Sequence, residues 1–163
     1  MYSTDPLTDT GTADVIMRPP LLFLAALLLG FVLDHLLALQ FPLPRIDTVH
    51  RIVAGCLILI GATVFAASVR NFGRAATPVP GTKPTTVLVT TGIHGWSRNP
   101  IYLGMFLMYC GIGTAVRSPS ILILLLPLAI TMRYGVVARE EAYLERRFGE
   151  AYRAYKGHVR RWF

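Results

Sequence analysis

The sequence is short of charge. Of its 163 residues only 15% are Asp, Glu, Lys or Arg, while 53% are apolar. An average soluble domain is about a quarter charged, so this chain has too little charge to cover a globule in water. A disordered chain is also excluded, because disorder needs low hydrophobicity. There are two cysteines, Cys56 and Cys110, each inside an apolar run. Neither a disulfide framework nor a CxxC metal site can be built from them. The four histidines stand far apart without an HxxxH pair, and no metal is expected. The nucleophile elbow of a Ser-His-Asp hydrolase is missing. So are GxGxxG and the P-loop, which excludes the common soluble nucleotide-binding folds.

What is present is apolar sequence in four blocks: Leu21–Phe41, Ile52–Val69, Ile101–Val116 and Ile121–Val137. A helix crossing a bilayer needs about 20 mostly apolar residues, within a range of about 17–25. The first two blocks meet that length. The last two are shorter and only Arg117-Ser118-Pro119 separates them, which predicts a tight helical hairpin with Pro119 opening the final span. The leading residues 1–18 carry Asp5, Asp9 and Asp14 and lack the basic start of a signal peptide; they read as a mobile segment. The expected fold is all-α: a polytopic membrane protein with about four transmembrane helices and a C-terminal cytoplasmic amphipathic helix.

The chain divides into spans one and two (19–69), a polar loop (70–100), the hairpin (101–137) and a tail (138–163), all within a single domain. With four spans, the N-terminus, the loop and the tail share one side and hold twelve basic residues. The opposite side holds Arg45, Arg51 and Arg117, and Arg133 falls within span four. That bias puts both termini in the cytoplasm. It also accounts for the net charge of +7 through contact with anionic membrane lipid. No nucleic-acid partner is indicated, since the chain has no helix-turn-helix, finger or aromatic-basic strip.

Several groups could carry chemistry. Asn99 and Pro100 suit the cap and first position of a helix. Such an N-terminus attracts a carboxylate or phosphate, and Arg98 beside it could add a bidentate contact. Glu140 and Glu141 begin a tail face that continues through Leu144, Phe148, Tyr152 and Tyr155 at helical spacing. They could meet ribose hydroxyls or a cation, or be solvated. Arg133 is an ionisable residue in an apolar span, which marks a site or a side chain snorkelling to the interface. Asp34 and His35 in span one read as structural hydrogen-bonding partners for a neighbouring helix.

The order LVTTGIHGWSRNPIYLG (Leu88–Gly104), a helical hairpin, then REEAYLERRFGEAYRAYKGHVRRW (Arg139–Trp162) resembles the isoprenylcysteine carboxyl methyltransferase family and its bacterial members. Phospholipid N-methyltransferases are similar in the same region. The likeness covers about Gly73 to Trp162. It implies an integral protein of a bacterial inner membrane that uses S-adenosylmethionine and releases S-adenosylhomocysteine. It implies cofactor contacts from Thr86, Val87, Leu88 and Val89, from His94 and Arg98, and from Asn99, Pro100, Ile101 and Tyr102 at the start of span three. Glu140 would bind the cofactor with Glu141 in support. Arg133 or Arg139 would face the acceptor as the catalytic arginine. Eukaryotic members mostly carry His where this chain has Asn99 and an aromatic where it has His94, differences that bear on the acceptor more than on the cofactor. The acceptor implied is a lipophilic small molecule or lipid bearing a carboxylate, thiol or amine. The alternatives are a phospholipid-type N-methyltransferase and a non-catalytic membrane scaffold.

Overall fold

A computed structural model of the chain describes residues 11, 13, 15–37, 47–79 and 83–163. The expected mobility of 1–18 falls largely outside these residues, as does the end of the first apolar block beyond residue 37. Among the described residues the regular structure is helical throughout, without a strand. The helices are α1 (Pro19–Leu37), α2 (Asp47–Arg74), α3 (Pro100–Ala115), α4 (Pro119–Thr131) and α5 (Ala138–His158). A six-residue π-helical segment, Met132–Val137, joins α4 to α5.

Three helical runs are long and apolar enough to cross a membrane: Pro19–Leu37, Thr48–Arg74 and Pro119–Phe148. Helix α3, with 16 residues, is apolar but shorter. The last run exceeds the expected block because the helix does not stop at Val137; it passes through the π-segment into α5. Helix α2 likewise continues past Val69 to Arg74. At 1.5 Å per residue its 28 residues measure about 42 Å, more than the ~30 Å hydrocarbon core. Its last turn therefore emerges from the bilayer and carries Asn71 and Phe72 to the functional end of the molecule.

Packing is inside-out relative to a soluble protein. Leu24, Leu28, Val32, Leu59, Ile60, Ile123 and Leu126 are all exposed, because lipid rather than water surrounds them. With no hydrophobic drive between helices in lipid, close contact must come from small residues. Helix α2 packs along α3 at Gly61 and Gly104. A Cβ on either glycine would stand 2.7 Å from the carbonyl oxygen of the other, so the two backbones touch. Helix α1 lies on α4, where Asp34 Oδ1 accepts from the Ser120 N–H at 3.1 Å. Ser118 caps the same helix, accepting from the Ile121 N–H at 3.0 Å. Asp34 thus satisfies an amide that the first turn of α4 leaves open, and Pro119 opens that helix as the sequence predicts. The buried centre comprises Phe23, Tyr109, Ile121, Met132 and Val136.

Candidate active site

The end of the molecule that holds the emergent turn of α2 is built from three chain segments. The first is the connection 75–99. Thr77 Oγ1 accepts from the amides of Thr86 at 3.0 Å and Val87 at 3.4 Å, which folds residues 85–89 back beneath α2. Gly92 turns the chain at φ 60°; a side chain there would meet the Asn71 amide, which itself donates to the Thr91 carbonyl at 2.8 Å. The second segment is the start of α3. The third is α5 with the extended residues 159–162 that follow it.

These segments enclose a cavity with about 580 Å³ of empty space, partly open to solvent. Val87, Leu88 and Val89 line one wall, and Asn99, Pro100, Ile101 and Tyr102 line another. His94, Arg98, Glu140 and Glu141 supply the polar groups.

The two glutamates are buried, with 4% and 7% of their surface exposed. An ionised carboxylate in such a position needs partners. Glu140 has one in the Tyr102 hydroxyl, which donates to Oε1 at 2.6 Å. Glu141 has two arginines: Arg98 Nη2 lies 3.1 Å away, and Arg161 donates through Nε and Nη2 at 2.9 and 2.5 Å. Residues 160–161 are fixed in turn by the start of α3. Arg98 N–H donates to the Arg160 carbonyl at 3.0 Å, and the Ser97 hydroxyl and Asn99 amide both donate to the Arg161 carbonyl at 3.2 Å.

His94 is 3% exposed, with Phe72 edge-on at 4.9 Å and the Asn71 side-chain amide 3.3 Å from its Nδ1. Burial draws its pKa down to about 4. Its carbonyl accepts from the Tyr155 hydroxyl at 2.7 Å.

Eleven of the twelve expected cofactor contacts line this cavity. Thr86 does not: its amide and hydroxyl are both bonded to Thr77 Oγ1 at 3.0 Å, so it shapes the wall from behind. Asn99 occupies the cap position of α3, but its side chain makes no capping bond; it donates to the Arg161 carbonyl instead. Neither arginine expected to face the acceptor reaches the cavity. Arg133 lies on the π-segment and borders a different groove. Arg139 is exposed, rotated about 100° along α5 from Glu140.

The cavity also has Phe72, Thr85, Leu144, Tyr152 and Tyr155 in its lining. The last three lie on the tail face that periodicity reveals. Phe72 and Thr85 have no signal in the sequence, and neither has Arg161, which reaches the site only through the fold. Two polar atoms of lining residues, Thr85 Oγ1 and Arg98 Nε, are buried without a hydrogen-bond partner among the described residues. Such atoms are open to a hydrogen bond with a ligand or with water.

The family profile of the phospholipid methyltransferases matches residues 49–151, and the chain belongs to that family. The matched stretch holds every residue lining the cavity except Tyr152 and Tyr155. Over 110 residues the chain is 31% identical to the protein-S-isoprenylcysteine O-methyltransferase of Saccharomyces cerevisiae, covering 66% of this chain and 46% of the relative. The chain thus spans about half the length of the curated relative it matches.

Proposed function

We propose that this membrane protein is a methyltransferase that binds S-adenosylmethionine in the cavity between residues 85–89, the start of α3 and α5, and methylates a lipophilic acceptor at the cytoplasmic face of a bacterial inner membrane. The observation that carries the proposal is the buried pair Glu140 and Glu141, each held by named donors beside the unpartnered Thr85 Oγ1 and Arg98 Nε. The donor set fits the cofactor. Carboxylates suit an ammonium group and ribose hydroxyls, the Arg98 N–H and the N-terminus of α3 suit a carboxylate, and Phe72 and Tyr152 offer surface to an adenine. When bound, S-adenosylmethionine supplies an electrophilic methyl group on a sulfonium.

The chain's own residues position and dehydrate. Methyl transfer by in-line displacement needs alignment more than proton traffic. Ile101 and Tyr102 form a partition. On its other side lies a second, apolar cavity lined by Leu21, Phe65, Val69 and Met105, with Arg18 at its rim. An acceptor with its tail there would bring its head to the partition from the membrane side. A carboxylate or thiolate acceptor needs no base. An amine, the acceptor of the phospholipid-type reading that the family profile favours, must first lose a proton. His94 is poorly suited to take it near neutrality, being held neutral with a pKa of about 4; Glu140 is the better placed group. The cytoplasmic assignment is supported by the basic residues of the loop and tail.

Calorimetric titration of the detergent-purified protein with S-adenosylhomocysteine tests the cofactor. One-site binding that Glu140→Gln weakens by about tenfold or more is expected. Folded protein that shows no heat up to millimolar ligand would return the chain to a non-catalytic scaffold. Labelled methyl donor with lipophilic acids, thiols and amines then identifies the acceptor.

A further inference from the structure

On the lipid-facing side of the α3–α4 hairpin lies a groove separate from both cavities. It has about 1220 Å³ of empty space, much of it open laterally. Its walls are apolar: Leu103, Phe106 and Leu107 from α3, Leu125, Ala129 and Ile130 from α4. Along α4 the interval from Leu125 to Arg133 measures about 12 Å, so the groove fits within one ~15 Å half of the hydrocarbon core.

One end of the groove is polar and aromatic. Arg133, Tyr134, Trp162 and Phe163 gather there, with the Trp162 ring edge-on to Phe106 at 6.1 Å. Tyrosine and tryptophan at the end of an apolar span mark the headgroup level. The Arg133 guanidinium sits 5.3 Å from the centre of the Tyr134 ring. A guanidinium beside an aromatic ring keeps its charge and its N–H donors, which suit an oxyanion. Among the described residues no carboxylate pairs with Arg133, whereas Arg98 and Arg161 both have one. Arg161 is neutralised by Glu141, so the positive charge at this end of the groove is that of Arg133. An acyl chain would find apolar walls, and a negative headgroup would find an arginine with no carboxylate partner among the described residues.

We propose that this groove is a binding site for an anionic phospholipid, with its phosphate on Arg133 and an acyl chain between α3 and α4. The site is distinct from the methyl-transfer cavity and does not depend on it. A zwitterionic lipid can fill the same groove but brings its own cation to the arginine, so the discrimination resides in charge.

The test exposes the full chain, purified in neutral detergent, to equimolar phosphatidylglycerol and phosphatidylcholine with matched chains. Lipids retained after gel filtration are then quantified. The expected result is about fivefold enrichment of phosphatidylglycerol, the contribution of one basic side chain at an anionic surface. Arg133→Gln should return the ratio to that of the mixture, and Arg133→Lys should keep most of the enrichment. Ala129→Phe, which fills the groove without changing charge, should abolish it too. Equal retention of both lipids by the wild-type protein overturns the proposal. So does enrichment that survives either Arg133→Gln or Ala129→Phe, and so does a stable dimer that seats a second copy in the groove. None of these readings involves methyl transfer, so they stand apart from the fate of the cofactor assignment.

Discussion

Arg161 grips Glu141 with both prongs of its guanidinium, at 2.9 and 2.5 Å. The two residues are twenty positions apart, yet the pair closes the wall of the cavity. Glu141 is 7% exposed and cannot rely on water for its charge. Arg161→Ala should therefore destabilise the protein by about 2 kcal/mol, the scale of a lost charge-assisted bond to a buried group. Arg161→Lys should recover only part, because an ammonium cannot reproduce the fork. Thermal unfolding in detergent, followed by circular dichroism, would show it; equal midpoints for wild type and Arg161→Ala would mean that the pair is held by the site and does not help hold it.

Tyr102 and Glu140 make the second prediction. The phenol donates to the carboxylate at 2.6 Å, so the two act as a unit. Glu140→Gln and Tyr102→Phe should each weaken S-adenosylhomocysteine binding, by about tenfold or more, as expected for a hydrogen bond to a charged group. The double variant should cost less than the sum of the two, since both changes act on the same bond: Tyr102→Phe removes its donor and Glu140→Gln the charge on its acceptor. Additive losses in calorimetry would show that the residues contact the ligand separately.

The third prediction tests the α2–α3 contact. A Cβ at Gly104 would stand 2.7 Å from the Gly61 carbonyl oxygen and 2.8 Å from the Phe65 nitrogen. Both obstacles are backbone and neither can rotate away. Gly104→Val should cost on the order of 2 kcal/mol through overpacking. Gly55, on the same helix as Gly61, has nothing within 4 Å of the point where a methyl group would stand; Gly55→Ala should be neutral or stabilising, because alanine is the better helix former. Unfolding midpoints that rank these two variants in the opposite order would contradict the backbone contact.

The fourth concerns pH. Buried His94 takes up its proton at about 4, against an ordinary 6.5. Between those values the unfolded chain binds more protons than the folded one, so stability rises with pH. The contribution is complete above about pH 6.5 and is lost as pH falls toward 4. At its limit it amounts to on the order of 3 kcal/mol. His94→Gln should flatten that part of the stability profile. A slope between pH 4 and 6.5 that is unchanged in the variant would assign it to other groups.

Much of this molecule is legible in its residues. The apolar blocks announce the membrane helices because lipid demands long apolar runs with satisfied backbones. Pro119 and Ser118 announce the start of α4 because proline and serine have fixed uses at helix starts. The motifs around Asn99 and Glu140 name most of the cavity lining. Three things are not legible. The continuity of span four with the tail helix is expected, since nothing in MRYGVV resembles a stop, but the π-helical winding of Met132–Val137 has no signal there. The side chain of Asn99 leaves the cap for a carbonyl 62 residues away, and local spacing contains no such partner. Arg133 borders the outer groove and does not line the cavity, and the extra residue of a π-turn shifts the rotational phase that a 3.6-residue reading assumes.

The bonds from Ser97, Arg98 and Asn99 to the carbonyls of Arg160 and Arg161 have a consequence for biogenesis. The first partners are translated some sixty residues before the second. In the interval the hydrophobic helices can insert and pair while the cavity still lacks one wall. A polypeptide released early would thus be a well-inserted membrane protein with an open cavity, so that membrane integration and closure of the cavity are separate events in the life of the chain.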